Sequence, residues 1–86
     1  MNTETLRNLV TSFENDQACL ETTAGIEVNP ARRVWAEQRA AMIGIIVGRI
    51  RGEIMSRETP DARPVGAAQR FESCLEHTLE EYLDVR

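Results

Sequence analysis

Apolar residues near the start of the chain fall at Leu6, Leu9, Val10, Phe13 and Leu20, the spacing of a helix with one apolar face. The pattern predicts a helix over about residues 4–22, with Thr3 or Thr5 as N-cap and Gly25 in the left-handed position beyond its end. The polar patch Glu14-Asn15-Asp16-Gln17 leaves open a break within that helix. Asn29-Pro30 is the strongest start signal in the chain: an N-cap side chain, then a proline where its missing N–H removes no helical hydrogen bond. A long central helix is predicted from there, over about residues 30–57. Along it Ala36, Ala40, Ile43, Val47, Ile50 and Ile54 step by four and three in alternation, which keeps them on one face and makes them the core stripe. Met42, Ile45 and Ile46 lie off that stripe, so the middle of the helix is apolar on most sides.

Thr59-Pro60-Asp61-Ala62-Arg63-Pro64 reads as a turn or linker. A third helix is predicted over about residues 64–84, with Pro64 as its first residue and Ala68, Phe71, Leu75, Thr78, Leu79 and Tyr82 on its apolar face. The expected fold is therefore all-α, a single three-helix domain spanning residues 1–86.

A second pattern overlies the first. Small residues occupy every fourth position of the central helix: Ala36, Ala40, Gly44, Gly48 and Gly52. Each interior glycine disfavours a helix by about 0.8–1 kcal/mol relative to alanine, so the three together cost about 3 kcal/mol unless something offsets it. The expected compensation is a second backbone lying against the ridge. One source is a flanking helix of the same chain. The favoured one is a second copy, giving a homodimer through the central helix, because two short helices cannot cover every apolar side of a long one.

Charge divides by segment. Residues 1–28 carry a net of −4, residues 29–63 a net of +3 and residues 64–86 a net of −3. A basic central helix between two acidic ones favours the long helix in the middle of the bundle. All ten basic residues are arginine; GC-rich coding explains that as readily as the bidentate pairing that arginine favours.

Glu72, Glu76 and Glu80 repeat at every fourth position, and Glu81 and Asp84 extend them toward the C-terminal end. Like charges at that spacing oppose a helix by a few tenths of a kcal/mol per pair. A solvated face is the simpler account. The functional account is an acidic surface that engages a basic partner, including one whose groove otherwise holds a nucleic-acid backbone. Arg32, Arg33 and Arg39 cluster around Trp35 at the start of the central helix, where positive charge opposes the helix dipole, so acidic pairing or a docked partner is expected there. Direct nucleic-acid binding is not expected from a chain with pI near 4.9.

No catalytic constellation, cofactor loop or metal cluster is visible. Cys74 and His77 stand three apart, but two ligands do not make a zinc site, and nothing in the sequence supplies an orienting group or pocket for thiol catalysis. Cys19 and Cys74 are expected as reduced, partly buried thiols. The longest apolar run, between Arg39 and Arg49, is too short to span a bilayer, and the first residues lack a secretory layout, so a cytoplasmic location is expected. The sequence thus points to a small non-enzymatic binding or regulatory protein, without cofactor or metal, that docks on a larger protein or protein–nucleic-acid complex. By type, an acidic inhibitor of a nucleic-acid-handling complex, as in viral anti-defence, anti-CRISPR or anti-restriction proteins, fits size and charge. A structural dimerisation module or small subunit is the alternative, and a small helical enzyme the most distant one.

Overall fold

Three helices follow one another in the computed structural model, which describes residues 2–59 and 64–84. They are α1 (Thr3–Ile26), α2 (Pro30–Glu58) and α3 (Ala67–Asp84). Among the described residues there is no strand, so the all-α expectation holds. Pairings such as Glu14 with Arg51 and Gln17 with Ala40 run in opposite directions along α1 and α2, which makes them an antiparallel hairpin. Arg57 beside Glu72 and Arg39 beside Tyr82 place α3 antiparallel to α2 as well. The result is an elongated body of 50 × 20 × 17 Å with α2 as its spine.

The core is the predicted α2 stripe closed from both sides. Ile43, Val47 and Ile50, with Ile46, meet Leu6 and Val10 of α1 and Leu75 of α3. Leu6, Ile43, Ile46 and Ile50 are the largest fully buried side chains. Phe71, Leu79 and Tyr82 cover the α3 side, and Phe13 meets Tyr82 edge to face, with ring centroids 6.1 Å apart. The contact between α2 and α3 is much thinner than that between α1 and α2. Two ion pairs have the expected sense, arginine on α2 and glutamate on its neighbour: Arg51 with Glu14 of α1, and Arg57 3.9 Å from Glu72 of α3; Arg7 of α1 with Glu58 of α2 runs the other way. Arg57 also reaches buried Glu53 at 3.3 Å, so the one charged side chain in the described core is held by a neighbour on its own helix.

Asn29 caps α2 as expected, its Oδ1 accepting from the Ala31 and Arg32 amides, with Pro30 at the first turn. Other boundaries differ. The cap of α1 is Asn2, whose Oδ1 accepts from the Thr5 amide at 2.7 Å, and neither Thr3 nor Thr5 serves. α1 runs unbroken through Glu14–Gln17 and on past residue 22 to Ile26, with Gly25 inside the helix. Thr22 and Thr23 turn their hydroxyls back to the carbonyls of Ala18 and Cys19, which satisfies them within the helix, and buried Ala24 holds the last turn on the bundle. α3 starts later than expected. Pro64 opens a turn instead, because Gly66 takes φ +80° and its carbonyl then accepts the Arg70 amide at 3.0 Å. Most of the predicted linker, residues 60–63, lies outside the described residues.

Candidate interaction surfaces

The small-residue ridge does not form a single face. Successive α-helical residues advance by about 100°, so each step of four overshoots a full turn by about 40°. Ala36 and Ala40 accordingly lie buried in the seam toward α1, Gly44 stands at its edge, and Gly48 and Gly52 have turned to solvent. A Cβ built at Gly48 or Gly52 would meet nothing within 4 Å. Within the chain no backbone lies against any of the three glycines, so the expected single packing ridge is corrected, and with it the alternative that a flanking helix of the same chain covers it. At Gly44 the neighbour is a side chain: Gln17 Nε2 donates to the Ala40 carbonyl at 3.1 Å and would lie 3.1 Å from a Cβ at residue 44. Glycine there gives the amide access to the α2 backbone.

A different row carries the outer face of α2. Val34, Ala41, Ile45, Gly48, Gly52 and Met55 are all exposed, with Val34 at 49%, Ile45 at 58% and Met55 at 68%. Gln38 fills the gap after Val34, and the steps then alternate between three and four, as in the core stripe but on the opposite side. The signal for this row in the sequence is its alternating spacing, with Ile45 off the core stripe. Between this face and α1 lies a shallow groove of about 370 Å³ lined by Glu14, Gln17, Glu21, Gly44, Gly48 and Arg51 among others.

The arginine cluster is largely used internally. Arg33 donates through Nε and Nη2 to the Glu27 carbonyl in the hairpin connection. Arg39 stacks its guanidinium over Tyr82 at 4.1 Å and Trp35 at 5.2 Å, and Nη1 donates to the Tyr82 carbonyl at 3.1 Å. It pins the C-terminal turn of α3, where carbonyls lack helical partners, onto the start of α2. Arg32 is exposed, and Trp35 remains 42% exposed at the edge of this clasp. Replacing Arg39 by leucine is expected to lower stability by about 1.5–3 kcal/mol, the usual effect of losing a hydrogen bond to a charged group. Hydrogen exchange should then accelerate in α3 while protection in α1 and α2 persists; equal loss in all three helices would contradict this role.

The acidic row obeys the same 40° drift, to about the same extent per turn. Glu72 faces α2 and Arg57, whereas Glu76 and Glu80 are exposed. Glu81 is exposed and lies 3.2 Å from His77 Nε2. Asp84 closes α3, and its side chain lies outside the described residues. Among the described residues neither Glu76 nor Glu80 has an ion pair, so their charge is directed outward.

Cys19 and Cys74 are both free and both exposed, which corrects their expected partial burial. Cys74 borders an apolar groove of about 190 Å³ between α2 and α3, lined by Ile46, Arg49, Phe71, Leu75 and Thr78. Arg49 Nη1 donates to the Thr78 hydroxyl across it at 3.2 Å. Among the described residues no three His, Cys, Asp or Glu side chains are grouped to hold a metal ion. Among the described residues no helix is long and apolar enough to cross a membrane. No protein-family model matches the chain, and neither a curated protein nor a solved structure matches it. Function is consequently argued from these surfaces.

Proposed function

We propose that this chain is a non-enzymatic interaction protein that docks on a larger protein or protein–nucleic-acid complex through the solvent face of α3. The observation that carries the reading is the outward acidic face itself: Glu76 and Glu80 stand exposed without an ion pair among the described residues, with Glu81 beside them. Carboxylates spaced along a rigid helix present charge to a basic groove much as a phosphate backbone does. An inhibitor of a nucleic-acid-handling complex in the cytoplasm is the form of this reading that best fits the chain's net charge of −4. The alternative of a dimerisation module draws on another surface, the outer face of α2.

The test is affinity capture from the native host, comparing the wild-type chain with a Glu76→Gln, Glu80→Gln, Glu81→Gln variant of unchanged helicity. The expected result is capture of nucleic-acid-binding proteins that duplex DNA displaces, reduced at least tenfold by the three substitutions. Capture that ignores either the substitutions or the competing DNA would refute the acidic docking face.

A further inference from the structure

The outer face of α2 is unpartnered, and its sequence is not that of a solvated helix face. Over the span from Val34 to Met55 the exposed row is Val34, Gln38, Ala41, Ile45, Gly48, Gly52 and Met55, with no charged residue on the row itself. Large and small side chains are unevenly distributed along it: Val34 and Gln38 stand at one end, Ile45 near the middle and Met55 at the other end, and the small Ala41, Gly48 and Gly52 fall between.

We infer that this face is the contact between two copies of the chain, with their α2 helices antiparallel and a twofold axis passing close to Ile45. That arrangement sets Val34 opposite the partner's Met55 and Ala41 opposite the partner's Gly48. Each Ile45 then enters the shallow surface left by the partner's Ala41 and Gly48, as a knob enters a hole. A parallel pair matches like with like: Ile45 meets Ile45 and Met55 meets Met55, while the glycines face one another across a gap. The antiparallel register is the one in which the bulges and hollows complement each other.

Charge selects the same register. Glu37 and Arg51 lie on the α1 side of the row, 14 residues apart and nearly equidistant from Ile45. A twofold axis at that point brings Glu37 to the turn occupied by the partner's Arg51. Arg51 already pairs with Glu14 within its own chain, so the second carboxylate completes an acidic–basic–acidic cluster. In the parallel register Glu37 and the partner's Arg51 stay 14 residues apart along the axis, about 21 Å at 1.5 Å per residue, and cannot pair.

The face is long. From Val34 to Met55 it runs 21 residues along α2, about 32 Å at 1.5 Å per residue, in a molecule 50 Å in length. Glycine at 48 and 52 lets the two α2 axes come closer than larger residues would, which brings the flanks of α1 and α3 within reach of the partner. The glycines that face solvent in one chain are then covered in the pair. This inference stands apart from the acidic docking reading, because every residue of the row belongs to α2 and none to α3.

Sedimentation equilibrium over a concentration series tests it, the single chain weighing 9.7 kDa. The expected result is a mass approaching twice that value, with the Ile45→Arg variant weakened at least a hundredfold and unchanged in helicity, since Ile45 is outside the core. Orientation is read by disulfide trapping in a Cys19→Ser, Cys74→Ser background. A mixture of Val34→Cys and Met55→Cys chains should cross-link, and Met55→Cys chains alone should not. A single-chain mass at millimolar concentration, a dimer indifferent to Ile45→Arg, or efficient trapping of Met55→Cys alone would each overturn the inference, whatever the outcome of the capture experiment.

Discussion

Truncating Ile50 to alanine is expected to lower the free energy of unfolding by about 2–5 kcal/mol, the range for a large aliphatic residue removed from a packed core. Ile50 is fully buried where all three helices contribute to one cluster, alongside Leu6 of α1 and Leu75 of α3. The effect is large relative to the whole. A domain of this size has about 4–13 kcal/mol of stability in total, at about 0.05–0.15 kcal/mol per residue. Only four large side chains are fully buried among the described residues, so little neighbouring material can relax into the cavity. In urea, the midpoint should fall while the slope of the transition is unchanged. In dilute solution, where single chains prevail, Ile45→Ala, about one turn and a half earlier on the exposed side, serves as the control and should shift stability by less than about 1 kcal/mol. Equal losses at the two positions would show that the core has been placed on the wrong face of α2.

Replacing both Gly48 and Gly52 by alanine is expected to act in the opposite direction. In dilute solution, where single chains prevail, each substitution should stabilise α2 by about 0.8–1 kcal/mol, because the added methyl meets nothing within 4 Å and the helix gains a better former. Together they should raise the melting temperature by roughly 6–16 °C, at about 4–8 °C per kcal/mol for a chain of this size. As concentration rises the gain should shrink, since the new methyl groups hold two α2 helices apart and weaken mass-action stabilisation by the partner. A loss of stability at the lowest concentrations would mean that some part of the same chain does lie over these glycines. Gly44→Ala is a separate case: its methyl would press on the Gln17 amide, so the helix gain is offset by a displaced hydrogen bond.

The alternating steps of Ala36, Ala40, Ile43, Val47, Ile50 and Ile54 are enough to place α2 and its buried side, because their mean step of about 3.6 matches the helical period. The same arithmetic explains the misreading of the glycine row and of Glu72, Glu76 and Glu80. A repeat of four looks like a face in the sequence but winds around the helix, passing from core to solvent within four turns. Local chemistry set the other limits. Asn2, Thr3 and Thr5 all suit an N-cap, and only the geometry of the first turn selects Asn2. Gly25 resembled a stop signal, yet burial of Ala24 carries α1 beyond it. Arg39 stands near Trp35 in the sequence, but the third member of its clasp, Tyr82, is 43 residues away, and no local pattern links them. The outward acidic residues on α3 were legible because solvated charge needs no tertiary partner to define it.

The three-residue connection between Ile26 and Pro30 also bears on how the molecule assembles. α1 and α2 can find one another by a short search, since the closure entropy of so small a loop is slight and their contacts begin next to the bend. α3 comes from farther along the chain and attaches along a thinner seam, so it is the last unit to dock and the first to detach. The hairpin is therefore the persistent element of this protein, and the helix that presents the outward carboxylates is the part most free to adjust its angle as it meets another surface.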